Sequence, residues 1–96
     1  MNSIKFTWDQ DKAEANSRKH GVSFTEAKTV FYDHNARMIF DPDHSEEEDR
    51  FILLGCSSHL RILAVIHCYR EEDAVIRIIS ARKANRSEQR QYEGFM

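Results

Sequence analysis

The sequence predicts an α+β fold: a short N-terminal strand, two helices, an antiparallel meander of about four strands, and a C-terminal helix. Three observations predict it. The first third carries helix start and stop signals, the middle alternates apolar and polar residues with period two, and a capping pattern reappears near the end. Ninety-six residues leave room for a single domain, taken as residues 1–96. With 41% hydrophobic and 31% charged residues, the chain is apolar enough for a core, which excludes a wholly disordered chain.

Ile4 to Trp8 alternates, so it reads as a strand with Ile4, Phe6 and Trp8 inward. Asp9 follows as N-cap of a weakly apolar helix that touches the core through Ala13. Gly21 stops that helix, because glycine takes the left-handed terminal conformation cheaply. Ser23-Phe24-Thr25-Glu26 reads as a capping box, with Ser23 capping and Glu26 reaching back. The helix it opens buries Phe24, Ala27, Val30 and Phe31 as one stripe.

Period two begins at Met38, and Pro42 breaks the strand because it has no N–H for a ladder. Asp43 to Asp49 is a polar loop. Arg50 to Cys56, Leu60 to Tyr69 and Ala74 to Arg82 are the next strands, joined by Ser57-Ser58-His59 and by Arg70 to Asp73. Short connections favour antiparallel neighbours. In Leu60 to Tyr69, one face takes Leu60, Ile62, Ala64, Ile66 and Cys68, and the other takes Arg61, Leu63, Val65, His67 and Tyr69. In Ala74 to Arg82, Val75, Arg77, Ile79 and Ala81 share one face; Ile76, Ile78, Ser80 and Arg82 share the other. One sheet face is expected beneath helices and the other open, with cations among aliphatics. Asn85-Arg86-Ser87-Glu88 opens a last helix that ends near Gly94.

The net charge of −2 hides an asymmetry. Asp41 to Arg50 holds six acids against one base, while Arg77 to Arg90 holds five bases against Glu88 alone. Local patches, not totals, decide what a surface attracts. No apolar run is long enough to span a bilayer, and Met1 to Lys12 does not read as a signal peptide. Two cysteines without a CxxC fit reduced thiols in the cytoplasm. Asp41, Asp43, His44, Glu46 and Glu48 are rich in oxygen ligands but lack the glycine and ordered spacing of a calcium loop. No zinc pattern is present either, so no metal or cofactor is expected.

Phe6-Thr7-Trp8-Asp9, Lys12-Ala13, Asn16, and Lys19-His20-Gly21-Val22-Ser23-Phe24 with Glu26-Ala27 together resemble the opening of the BrnT toxin family. Ile76 to Ala84, then Glu88, Arg90 and Tyr92-Glu93, resemble its C-terminal signature. The resemblance implies a RelE-like fold and a metal-independent endoribonuclease that inhibits translation. It implies neutralisation by a BrnA-type ribbon–helix–helix antitoxin, two toxins with two antitoxins, an assembly that represses its own operon. RNA or the ribosome is then the substrate, DNA is met only through the antitoxin, and no membrane is involved.

In that chemistry the 2′-OH of RNA attacks the adjacent phosphorus and expels the 5′-oxygen. The protein accepts a proton, donates one, and stabilises charge on the phosphoryl oxygens. Arg61, Arg77 and Arg82 are the candidate catalytic cations, since the planar guanidinium fork fits phosphate. Arg61 and Arg77 are expected on neighbouring strands. Lys19, His20, His67 and Tyr92 are candidate substrate-binding residues: His67 as a proton shuttle, Tyr92 as a stacking platform. The face with Leu63, Val65 and Tyr69, or the C-terminal helix, is the expected antitoxin surface. The rival reading is a non-catalytic antitoxin-binding or co-repressor module. Direct DNA binding is disfavoured, because no helix has a dense basic face.

Overall fold

The computed structural model describes residues 4–40 and 49–94. The acidic stretch Asp41 to Glu48, including the predicted break at Pro42, lies outside the described residues. Strand β1 (Lys5–Thr7) leads into helices α1 (Gln10–His20) and α2 (Phe24–Thr29), and a 3-10 turn (Val30–Tyr32) extends α2. Strands β2 (Arg37–Phe40), β3 (Phe51–Cys56), β4 (Ile62–Arg70) and β5 (Val75–Lys83) follow, and helix α3 (Arg86–Glu93) ends the fold. The strands form one sheet in the order β1-β5-β4-β3-β2. β2 to β5 are the expected antiparallel meander, while β1 adds to the outer edge of β5 in parallel.

The punctuation residues act as their chemistry demands. Asp9 Oδ1 accepts from the Lys12 N–H, Ser23 Oγ from the Glu26 N–H, and Asn85 Oδ1 from the Glu88 N–H. Gly21 closes α1 at φ 67°, a left-handed conformation costly for any residue with a Cβ. At Asn85 the capping box is complete, because Glu88 reaches back to the Asn85 N–H. At Ser23 it is half made: the Glu26 side chain turns away to Ser57 and Arg61.

α1 and α2 cover one face of the sheet. Val22, Phe24, Ala27 and Val30 pack there against Leu53, Leu63, Val65, Ile78 and Ala81, with Phe6, Trp8 and Phe31 at the margin. Leu63 and Val65 therefore lie in the core and are not the open face on which an antitoxin was expected. α3 lies across the other face, where Tyr92 packs on Leu54 and Ala64. Ile39, Ile52 and Ile62 are partly buried around them. Ile4 is 52% exposed, because the three-residue β1 ends its pairing at Lys5. Leu60 is not in β4; it sits in the preceding turn at φ 59° and is 86% exposed.

One irregularity rearranges the faces. Ile66 pairs with Ser80 but His67 pairs with Ile78, so Ile79 is an extra residue in β5. Simple alternation places Arg77 and Arg82 on opposite faces. The bulge inverts that parity: Arg77 opposes Cys68 and Arg82 opposes Ala64, both on the face that α3 partly covers.

Asn16 repairs the exposed edge of β5. β1 pairs only as far as Arg77, leaving Ala81 without a strand on that side. The Asn16 side chain takes the strand's place. Its Nδ2 donates to Ala81 O at 2.8 Å and to Val22 O at 2.9 Å, while its Oδ1 accepts from the Ala81 N–H at 3.1 Å. A second close approach needs glycine: a Cβ on Gly55 would stand 2.7 Å from Val30 Cγ1.

Candidate active site

The turn between β3 and β4 and the end of α1 meet at one end of the sheet. Ser57 Oγ donates to Glu26 Oε2 at 2.6 Å, and the Ser58 N–H donates to Thr29 Oγ1 at 2.8 Å, so the turn is pinned to α2. His59 and Arg61 then converge on the Glu26 carboxylate. His59 Nδ1 lies 3.2 Å from Glu26 Oε1, and its side chain is 65% exposed. Arg61 Nε donates to Glu26 Oε2 at 3.0 Å, and its Nη2 donates to Glu26 Oε1 and to Gly21 O.

Glu26 itself is 4% exposed. Burial alone would raise its pKa. The hydrogen bonds from Arg61 and Ser57, and the charges of Arg61 and His59, outweigh burial and hold it below the ordinary value. The site thus contains a fixed carboxylate anion that orients an imidazole and a guanidinium.

Arg61 is not used up by this pairing. A guanidinium has five N–H donors. Nε and both Nη2 protons are engaged, and the two Nη1 protons have no partner among the described residues. Those two protons diverge from one nitrogen, and they can still donate to phosphoryl oxygens from a side chain whose geometry is already fixed. Lys19 and His20 immediately precede Gly21, whose carbonyl Arg61 grips, so the last turn of α1 borders the site. Lys19 is exposed and His20 half-buried.

Arg82 lies at the same end of the sheet on the α3 side. It is roughly three residues, or about 10 Å, along the strand direction from Arg61. Its Nη1 and Nη2 donate to the two Glu88 oxygens at 2.6 and 3.0 Å. Burial would raise the Glu88 pKa, but the bonds from Arg82 and the Asn85 N–H hold it low.

The remaining expected residues fall elsewhere. Arg77 opposes Cys68, seven residues from Arg61 on β4, which at about 3.3 Å per residue is roughly 23 Å away. β4 and β5 are neighbours as expected, but these two arginines stand at opposite ends. His67 is fully buried, with rings of Phe31, Phe51 and Tyr69 around it and Nδ1 3.1 Å from Val65 O. No substrate can reach it, and burial keeps it neutral by lowering its pKa. Tyr92 is 4% exposed and donates to Asp33 Oδ2 at 2.6 Å, so it has no free face for stacking. Burial, then the Asp33 hydrogen bond, push its phenol up to about 12.

Sequence reasoning missed His59, which reads as turn filler, and Glu26, whose capping position concealed a second role. Among the described residues, no group of His, Cys, Asp or Glu is arranged to hold a metal ion. No helix among them is long and apolar enough to cross a membrane.

Comparison with known proteins bears on what this site does. The family model described as "Ribonuclease toxin, BrnT, of type II toxin-antitoxin system" matches residues 8–88. The chain is also similar to the crystal structure of the Brucella abortus ribonuclease toxin BrnT. That match has 26% identity and a TM-score of 0.65, covering 88% of this chain and 100% of the other. No curated protein matches. The matched span contains Glu26, His59, Arg61, Arg82 and the capping box of α3.

Proposed function

The chain belongs to the family of BrnT ribonuclease toxins of type II toxin–antitoxin systems, and from that premise we propose a metal-independent endoribonuclease that inhibits translation until a BrnA-type antitoxin binds it. The observation that supports this reading best is the convergence of His59 and Arg61 on the buried Glu26 carboxylate. His59 is the proton-transfer group: Glu26 fixes its Nδ1, and its exposed ring takes the proton of the attacking 2′-OH while solvent water protonates the leaving 5′-oxygen. Arg61 offers its Nη1 edge to the phosphoryl oxygens as negative charge builds there. Glu26 touches neither reacting atom; it positions both. Lys19, His20 and Arg82 border the same sheet end and hold the RNA backbone. Arg77 is a contact for a more distant phosphate, since the bulge leaves it on the Arg82 face about 13 Å along the strand.

The test is cleavage of RNA, with and without ribosomes, in the presence of a chelator. The expected product ends in a 2′,3′-cyclic phosphate. His59→Ala should lower the rate by about 10²- to 10⁴-fold, the usual contribution of general acid–base catalysis. Folded wild-type protein that never cuts RNA under either condition refutes the proposal.

One observation favours a second reading, a non-catalytic module that only holds the antitoxin. Arg61 and Arg82 are both neutralised by buried glutamates, in a chain of net charge −2. Growth arrest on expression, abolished by His59→Ala in a variant that still binds antitoxin, excludes it.

A further inference from the structure

We propose that the groove beside the Ser57-Ser58-His59 turn is a subsite for one unpaired RNA base, stacked on Tyr32, next to the bond that is cut. This rests on the ribonuclease reading above and adds the substrate element it leaves undefined.

The groove has a volume of about 430 Å³ and is lined by Tyr32, His34, Asn35, Cys56, Ser57 and Ser58, with Thr29 and Asp33. That size lies within the range of small-ligand sites. It borders the proposed reacting centre, because Ser57 both lines it and donates to Glu26, and His59 follows Ser58 in the same turn. A phosphate held by Arg61 and His59 therefore places its neighbouring nucleoside here.

The chemistry of the walls selects a base over a phosphate. Asp33 lines the groove as a carboxylate. Burial would raise its pKa, but the Cys56 N–H and the Tyr92 hydroxyl hold it low. A second anion is unwelcome beside it. Tyr32 is 61% exposed, although Val30 is fully buried and Phe31 half-buried in the same turn. Its ring leans on Phe6 at 6.4 Å, so it is braced without being core. Aromatic rings at such places stack on bases of any sequence. The Asn35 amide and the Ser58 hydroxyl supply donors and acceptors to a base edge. The Asn35 backbone is held by its N–H bond to Asp33 Oδ1 at 3.0 Å.

The experiment measures binding of short 2′-O-methyl RNAs, which cannot be cut, in parallel with cleavage of the unmodified RNAs. One set is intact and another carries a single abasic nucleotide at each position in turn. Removing one base adjacent to the cleaved bond should weaken wild-type binding by about 5- to 150-fold. Tyr32→Ala should weaken binding of intact RNA by the same factor and show no further loss with that abasic RNA. Tyr32→Phe should bind as wild type. Tyr32→Ala that binds intact RNA normally, or that loses affinity equally for every abasic RNA, overturns the subsite. If cleavage persists in that case, the catalytic reading stands alone. Base-dependent binding through Tyr32 without cleavage leaves the subsite and removes the catalytic reading. Wild-type protein that binds none of the RNAs removes the subsite, and a protein side chain becomes the groove's occupant.

Discussion

Replacing Asn16 should destabilise this protein far more than removing one polar side chain from a helix usually does. In Asn16→Ala, the Ala81 N–H, the Ala81 carbonyl and the Val22 carbonyl lose the partner that the amide provides. Asn16 is 8% exposed and Ala81 fully buried, so water does not readily replace it. An orphaned buried donor or acceptor costs about 1–3 kcal/mol. Three such groups sharing one opening relax together, so the sum is sub-additive, and about 3 kcal/mol is expected. For a domain of this length each kcal/mol lowers Tm by about 4–8 °C, which gives a fall of about 12–24 °C. Urea unfolding followed by circular dichroism measures the free energy, with an unchanged slope showing that the unfolded state is not responsible. Asn16→Leu separates volume from polarity: it fills the space and should be as destabilising. Asn16→Asp can accept from Ala81 but cannot donate to either carbonyl, so it should fail to rescue. A loss below about 1 kcal/mol in both Ala and Leu variants refutes the idea that this amide stands in for a strand.

Three further outcomes follow from the same geometry. His67 is held neutral with a pKa below its ordinary 6.5, so its contribution to stability is complete above that value and declines as pH falls through the lower folded pKa. Glu26 and Glu88 add a second decline below their ordinary 4.5, and urea midpoints across pH 2–7 should lose the first step, not the second, in His67→Leu. Gly55→Ala forces a Cβ to within 2.7 Å of Val30 Cγ1, and overpacking of this kind costs about 1–3 kcal/mol; a midpoint equal to wild type shows that β3 can move away. Glu26→Gln should cut RNA at least about 100-fold more slowly, as His59 and Arg61 lose their common anchor. It should also steepen the salt dependence of uncleavable-RNA binding by about 0.7 in log–log slope; an unchanged slope shows that Glu26 does not offset a phosphate-facing charge.

Most of the element order is legible in the sequence because it is written in local chemistry. Asp9, Gly21, Ser23 and Asn85 each solve a problem confined to one helix end. The meander is equally visible, since period two and polar turns need no knowledge of what lies opposite. What stays hidden depends on a second segment. Ser23-x-x-Glu26 has the spacing of a capping box, but Glu26 finds stronger partners at Ser57, His59 and Arg61, which are more than thirty residues away. The parity of β5 is lost at Ile79, because one extra residue exchanges the faces beyond it and leaves no mark in composition. β1 is too short to declare that it pairs in parallel, and Tyr92 cannot be distinguished from a surface tyrosine until Asp33 is found beneath it. Arg61 was legible as a candidate cation, whereas its anchor and its neighbour His59 were not.

The acidic balance of the chain also takes on a different meaning once the pairs are seen. A ribonuclease that relied on bulk attraction for RNA would need an excess of unpaired cations, and this sequence has two more acids than bases. Here the central guanidinium is paired with a glutamate that is almost fully buried, while its two Nη1 protons have no partner among the described residues. Such pairing weakens long-range attraction and strengthens short-range order. The guanidinium does not have to be frozen when the phosphate arrives, so less conformational entropy is lost in forming each bond. Net charge therefore bears on how fast RNA is encountered; in the proposed mechanism, the Nη1 donors beside an oriented imidazole bear on whether its backbone can be cut. A chain that is acidic overall and carries this constellation is consistent with slow capture and specific scission, which is the regime in which a base-binding groove next to the reacting bond has the most to contribute.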